Sequence, residues 1–340
     1  MQAPDVSVIL PFFNAEKTLA RALISILSSD HKNIEVIAVD DGSTDSSLAI
    51  CQRIASGDAR VKIIKRANEG ASAARNAGLE AARGRFFAFV DADDEVGGRI
   101  YQRMLLAAEI HGADVVQCAT EIVYGNTVRI AHAPRRDTMW SGGKRLPSEQ
   151  LSYACWGKLY LKEKFGNIRF DRALRVGEDL RFNLEVMARS RRVVFLKEAL
   201  YRYTQTDSSI MNRLIEQKAA EDFGKMIENA ERDFADFPTL QSIIKVAKLK
   251  NFAHVFSLST SKNNEYCKVL FTKTRKKAQK SIKAILTCRG ISVKNRIAIL
   301  LAVFLPRVYK LMILEKQRIE KKRKRSPRNT SRAKQNTTHT

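Results

Sequence analysis

The chain has 340 residues, 44% of them hydrophobic, and its 60 Lys and Arg against 36 Asp and Glu give a formal charge of +24. These values exclude a disordered or collagen-like chain and allow one large core plus an appendage. The cysteines Cys51, Cys118, Cys155, Cys267 and Cys288 lie far apart. With no zinc spacing and no dense disulfide framework, a reducing cytoplasm is the simplest setting.

The chain opens M-Q-A-P-D-V-S-V and enters an apolar run at once, so no signal peptide is expected. Val6 to Pro11 reads as a first strand. Asn14 can cap a helix whose apolar positions Leu19, Ala22, Leu23, Ile26 and Leu27 keep helical spacing. Glu35 to Val39 reads as a buried strand, and Asp40 to Asp45 as a turn able to cap the next helix, which holds Leu48, Ile50 and Ile54. Val61 to Ile64 is a third strand, Ala71 to Ala82 an alanine-rich helix, and Phe86 to Val90 a fourth strand. This βαβαβαβ alternation predicts an α/β fold with a mostly parallel sheet and helices on both faces. Ligands of such sheets bind at the rim where strands end, and acids cluster there, in V-D-D-G-S-T-D (39–45) and F-V-D-A-D-D (89–94).

Asp91 and Asp93 lie two apart on an expected turn. Oxygen donors so close suit a hard cation, Mg2+ or Mn2+, which completes its shell with water and substrate phosphates. A diphosphate ligand follows. The plainer alternative is that Asp91, Asp93 and Asp94 cap a helix beginning near Gly98. Neither G-x-x-x-x-G-K-S/T nor G-x-G-x-x-G occurs, so P-loop and Rossmann readings lose their main support.

Six motifs in order, P-F-F-N (11–14), V-D-D-G-S-T-D (39–45), N-E-G-A-S-A-A-R-N-A-G (68–78), F-V-D-A-D-D (89–94), W-G-K-L-Y (156–160) and G-E-D-L-R-F (177–182), resemble the family 2 glycosyltransferases. The resemblance covers residues 5 to about 210 and implies a GT-A nucleotide-sugar fold. By that resemblance Asp41 receives the uracil ring, with Pro11 and Phe13 flanking the base; many relatives carry Tyr at Phe13. Arg75 and Asn76 match the segment facing the diphosphate, and a guanidinium fork suits phosphate. The plain alternative for Arg75 is a solvated helix face. Asp93 matches the direct metal ligand, and Asp91 a ribose or metal-water contact. Asp179 matches the general base of an inverting displacement, while Glu178 and Asp179 also suit the first turn of a helix through Leu184 and Met187. Trp156, Lys158 and Glu178 match acceptor-side positions, although Trp156 is as readily a core residue. Many relatives also carry a basic residue near Thr204, which is absent here.

The positive charge is concentrated at the end of the chain. Residues 262–340 hold 23 Lys and Arg against 3 Asp and Glu. Ile297 to Leu305 is apolar, Pro306 stops it, and Val308, Leu311, Met312 and Leu314 follow beside Arg307 and Lys310. The pattern falls short of the roughly 20 apolar residues a membrane span needs, so helices lying on an anionic membrane surface are expected. A polar helical bundle with a disordered tail is the alternative. Nucleic acid is not expected as a partner, because Tyr266, Phe271, Phe304 and Tyr309 are too sparse for a stacking platform.

The expected organisation is a GT-A domain over 1–215, a basic helical C-terminal region over 216–320 and a disordered basic tail over 321–340. The expected function is an inverting glycosyltransferase at the inner face of the cell membrane. It would use a nucleotide sugar donor, UDP-linked, and a glycan or lipid-linked acceptor in bacterial surface polysaccharide synthesis. The alternatives are a metal-dependent nucleotidyltransferase, which would normally show a Gly-rich basic loop where Pro11 to Asn14 stand, and a non-catalytic membrane or nucleic-acid binder with a degenerate transferase domain.

Overall fold

The computed structural model describes residues 3–142, 147, 150–205, 217–261, 265–288 and 291–325. The chain forms two compact units, Met1–Lys248 and Leu249–Thr340.

In the first unit the expected alternation is present. Strands β1 (Val6–Phe12), β2 (Ile34–Asp40), β3 (Val61–Lys65) and β4 (Phe86–Phe89) alternate with helices α1 (Leu19–Leu27), α2 (Ser47–Gly57) and α3 (Ala71–Ala81). They pair in parallel in the order β3-β2-β1-β4. All seven residues of β2 are buried, as expected of a strand covered by helices on both faces. Successive residues of β1 serve opposite layers. Val8 and Leu10 pack with Leu19, Leu23, Ile26 and Met104, whereas Ile9 packs with Phe87, Phe89 and Phe182.

Beyond β4 the sheet becomes mixed. After β5 (Glu95–Val96) and α4 (Ile100–His111) come β6 (Val115–Tyr124), β7 (Thr127–Ala131), β8 (Thr138–Ser141), β9 (Lys158–Leu161), α5 (Lys162–Phe165), α6 (Glu178–Arg189) and β10 (Arg192–Thr204). Strand β9 lies antiparallel between β4 and β6. Strand β10 runs parallel to β6 with two irregularities in register, and its end pairs antiparallel with β5. The end of the long last strand thereby reaches the segment that follows the D-x-D.

Two expected caps are not made. Asn14 does not cap α1, which begins at Leu19 after Thr18; it adopts φ 48° and its side chain accepts from the Thr44 N–H at 2.8 Å. Nor do Asp91, Asp93 or Asp94 cap α4, which starts at Ile100 after Arg99 without a side-chain cap. Asp45, by contrast, accepts from the Ser47 N–H in the first turn of α2.

Helices α7 (Gln217–Asp233) and α8 (Pro238–Ser261) follow. The compact division falls at 248 rather than 215 because Met226, Ile227, Phe234, Leu240 and Ile243 join the layer holding Phe182, Leu184 and Met187 of α6. At Gly177, φ +83°, an added Cβ would lie 2.5 Å from Met226 and 2.7 Å from Phe223. A glycine is therefore required where α7 meets the start of α6.

The second unit contains the end of α8, then α9 (Glu265–Lys280), α10 (Ile282–Thr287), α11 (Val293–Phe304) and α12 (Pro306–Arg325). Phe256 packs against Phe271 and Tyr309, and Ile285, Ile299, Ala302 and Val303 are buried. Arg275 donates to the Val303 carbonyl near the end of α11, and Arg296 donates to the Leu286 and Cys288 carbonyls. Cations there satisfy terminal helix carbonyls. Large apolar side chains remain exposed, among them Phe304, Leu305, Val308 and Leu311, the last 69% exposed. Among the described residues no helix is long and apolar enough to cross a membrane. Of the expected tail, residues 321–325 continue α12, and 326–340 lie outside the described residues.

At the end of the strands opposite the D-x-D, Glu35 of β2 ties β1 and β3 to the turn that precedes β4. Its buried carboxylate accepts from Ser7 Oγ at 2.7 Å, Lys62 Nζ at 2.8 Å and the Arg83 N–H at 2.8 Å. Burial alone would raise its pKa, but the Lys62, Ser7 and Arg83 hydrogen bonds prevail and bring it from 4.5 to about 2. A depressed carboxylate pKa stabilises the fold above the unfolded value, and that stability is lost as pH falls through the folded one. Denaturant titrations should therefore find Glu35→Gln less stable than the parent at pH 7, with the gap closing between pH 4.5 and about 2.

Candidate active site

The site is assembled from loops at one end of the sheet. Asp41, directly after β2, is buried, and its two carboxylate oxygens accept the Glu69 and Gly70 N–H groups at 3.1 and 2.8 Å. The adjacent Gly42 has φ +79°, and a Cβ there would lie 2.9 Å from the Asn68 nitrogen, so only glycine fits. Asn14 and Ser43 cross-link the loops after β1 and β2, with the Asn14 N–H donating to Ser43 Oγ at 3.1 Å. Pro11 is half-buried at the end of β1, and Phe13 is 45% exposed on the rim. A carboxylate has about four acceptor positions, so Asp41 keeps capacity beyond these two bonds.

Helix α3 can approach the sheet closely because it is built from alanine and glycine. A Cβ on Gly78 would fall 2.3 Å from Ile9 Cγ2. From this helix Arg75 points into the site with its side chain only 7% exposed. Nη1 donates to Glu178 Oε1 at 3.2 Å and Asp179 Oδ1 at 3.1 Å, and Nη2 donates to Asp91 Oδ1 at 3.0 Å. The solvated-helix alternative for Arg75 is thus excluded. Its guanidinium carbon also stands 5.4 Å from the centre of the Phe170 ring, within cation–π range.

Asn76, expected to face the diphosphate, is used differently. Its amide donates to the Phe170 carbonyl at 2.9 Å and accepts from the Phe170 N–H at 2.8 Å. Phe170 stacks on Phe182 at 4.2 Å and meets Phe89 edge-on, forming an aromatic floor below Arg75.

The acids after β4 have distinct surroundings. Asp94 is fully buried and accepts from Tyr201 Oη at 2.7 Å and the Thr204 N–H at 3.0 Å. The Asp91 N–H donates to the same Tyr201 oxygen at 3.2 Å. Burial, then the charges of Asp91 and Asp93, holds the Asp94 carboxyl well above its usual pKa. Thr204, near which many relatives carry a basic residue, binds Asp94 through its backbone N–H, and residues 206–209 lie outside the described residues. Burial raises the pKa of Asp91 and Asp93, with Arg75 opposing at Asp91 and the Asp91 charge adding at Asp93.

Asp179 and Glu178 open α6. Asp179 Oδ2 accepts the Cys155 N–H at 3.3 Å, so each oxygen of this carboxylate has its own protein donor. Burial, followed by the Asp179 charge, pushes Glu178 up to about 6.

Two acceptor-side expectations change. Lys158 is 1% exposed and gives its ammonium protons to the Ser152 and Ala154 carbonyls, and burial lowers its pKa to about 8. It holds the 152–154 backbone in place and is out of contact with solvent. Trp156 is half-buried and stacks on Tyr201 at 4.7 Å and Tyr203 at 5.4 Å, which engages its ring within the protein.

Asp91 and Asp93 suit a divalent cation in part. They are partly buried acids, and Asp93 has no ion pair among the described residues. Among those residues no group of three or more His, Cys, Asp and Glu could hold a metal ion by itself. A cation here would take one or two carboxylates and complete its shell from water and phosphate.

Residues 7–171 match the family model described as glycosyl transferase family 2. That match places a family 2 glycosyl transferase domain within residues 7–171. It is 36% identical over 217 residues, 61% of this chain, to the uncharacterized glycosyltransferase EpsJ of Bacillus subtilis, and the match spans 63% of that protein, just under two thirds. It is 30% identical over 221 residues to the succinoglycan biosynthesis protein ExoO of Rhizobium meliloti, covering 62% of this chain and 63% of ExoO. Among solved structures, S. aureus TarS 1-349 in complex with UDP-GlcNAc is similar with a TM-score of 0.64 at 19% identity, over 95% of this chain and 93% of that one. That likeness shows the GT-A type of fold.

Replacing Asn76 with Ala would leave both backbone groups of Phe170 without the partners they have. Each such loss costs about 1–3 kcal/mol when buried. Urea denaturation should show Asn76→Ala destabilised by about 2 kcal/mol or more, since two groups lose their partners.

Proposed function

We propose that this chain is an inverting glycosyltransferase that moves a sugar from a UDP-linked donor to a hydroxyl of a glycan or lipid-linked acceptor. The observation that carries the reading is the convergence of Asp91, from the donor-side acid turn, and Asp179, from the start of α6, on the single Arg75 guanidinium. An acid for the donor and a base for the acceptor thereby meet although they lie far apart in sequence.

In the reaction, Asp179 accepts the proton of the acceptor hydroxyl as its oxygen bonds to the anomeric carbon. The bond from that carbon to the diphosphate breaks, and the diphosphate leaves with the electron pair. Attack opposite the leaving group inverts the anomeric centre. Asp41, Pro11 and Phe13 form the nucleoside end of the site. Mg2+ or Mn2+, when bound at Asp93 and Asp91, supplies Lewis-acid stabilisation of charge on the departing diphosphate. Removing the base should act on turnover, and removing the metal ligand on binding. With Mn2+ present, Asp179→Asn should lower transfer by about 10²–10⁴-fold while calorimetry finds UDP affinity within a few-fold of the parent. Asp93→Ala should remove the Mn2+-dependent part of UDP binding. Normal transfer by Asp179→Asn would refute the base assignment.

Similarity to ExoO supports a role in bacterial surface polysaccharide synthesis. The second unit supports a location at a membrane surface, because exposed Phe304 of α11, Leu305 between the helices, and Val308 and Leu311 of α12 stand close in the chain to Arg307 and Lys310. Apolar side chains entering the headgroup boundary and cations meeting anionic lipid act together. In flotation with phosphatidylglycerol vesicles, the parent should bind, and Phe304→Glu with Leu311→Glu should release it while leaving UDP affinity unchanged. Equal vesicle binding by the double variant would refute the membrane surface.

A further inference from the structure

We propose that Arg75 is a positioning residue for the acceptor base, not a ligand of the donor diphosphate; this rests on the reading of Asp179 as that base. Most of the guanidinium is already committed. Nη1 serves Asp179 and Glu178, Nη2 serves Asp91, and the ring of Phe170 lies 5.4 Å from its carbon. Of its five N–H groups two remain, the buried Nε–H, which has no hydrogen-bond partner, and the second N–H of Nη2. A phosphate oxygen could gain Nη1 only by breaking a buried ion pair, which leaves a carboxylate uncompensated, and at Nη2 it would have only the one N–H that Asp91 leaves.

The same bonds fix the base. A carboxylate at the start of a helix can rotate about its side-chain bonds, and two different donors, one per oxygen, remove that freedom. Asp179 Oδ1 takes the Arg75 bond and Oδ2 takes the Cys155 N–H. Because Asp91 shares the guanidinium, the orientation of the base is referenced to the acid turn that would hold the donor. Arg75 is itself held from below, since Asn76 grips the Phe170 backbone with two hydrogen bonds. Lysine at this position would keep the charge, but its ammonium cannot reproduce the planar fork that spans separate carboxylates.

The effect is therefore on turnover and passes through Asp179. The test compares the parent, Arg75→Lys, Arg75→Gln, Asp179→Asn and the double variant Arg75→Lys/Asp179→Asn, all as full chains. UDP binding is measured by calorimetry with Mn2+. Turnover is measured as UDP release from whichever of UDP-glucose, UDP-galactose and UDP-GlcNAc the parent uses fastest, with water as acceptor. Arg75→Gln should lower kcat by about 100-fold or more with donor KM changed less than about threefold, and Arg75→Lys should recover part of that loss. In the Asp179→Asn background, Arg75→Lys should cause no further loss, because residues acting as one unit are non-additive.

A rise in donor KM and a matching loss of UDP affinity at unchanged kcat would make Arg75 a diphosphate ligand and overturn the proposal. Fully additive losses in the double variant would overturn it as well. A single variant that fails to bind UDP and melts early would be judged by the double-variant comparison with Arg75→Lys alone. Full turnover by Asp179→Asn, or no turnover of any of the three donors by the parent, would instead refute the reading of the site on which the proposal rests.

Discussion

One buried guanidinium organises this site. Arg75 carries a single positive charge among Asp91, Glu178 and Asp179, and its side chain is almost wholly removed from water. A charge in that position is tolerated only when paired and hydrogen-bonded. The three carboxylates satisfy the cation, and the cation restrains three acids that would otherwise repel one another. Their negative charge still exceeds the positive charge supplied, and a nearby divalent ion would be well matched to that excess.

The fold brings these groups together through short, stiff parts. Aromatic residues from β4, β9 and α6 pack on one another, with Phe87 stacked on Tyr160 at 5.0 Å and Phe170 on Phe182. On the other side of the acid turn, Tyr201 takes a hydrogen bond from the Asp91 backbone and gives one to buried Asp94. The acid turn is therefore fixed to strand β10, and α6 to the aromatic layer.

Much of this was legible in the sequence. The first four strands and three helices followed from apolar runs and helical spacing, and the acids stood where strands end. Three features were not legible. Asn14 had the chemistry of a helix cap, but its loop is tied to the loop after β2, so its hydrogen bonds went there. Lys158 lies in a motif that suggests a surface contact, whereas β9 inserts between β4 and β6 and carries the ammonium inward. Phe170 stands alone in irregular sequence, and nothing local to it indicates that Asn76 would seize its backbone. In each case the deciding partner is distant in the chain, and periodicity cannot report it. Asp94 was visible as an acid, but only its complete burial separates its work from that of Asp91 and Asp93.

The close seating of α3 bears on how such an enzyme could be altered. Gly78 lies three residues after Arg75, less than one helical turn, and its missing side chain is what lets the helix rest on Ile9. A larger residue at 78 would lift the helix by a distance comparable to a hydrogen-bond tolerance, and the guanidinium would lift with it. The helix is thus a fixed reference height for the chemistry. Changes in donor or acceptor preference are best sought in the loops around it, where side chains can be exchanged without moving the plane on which the acids are registered.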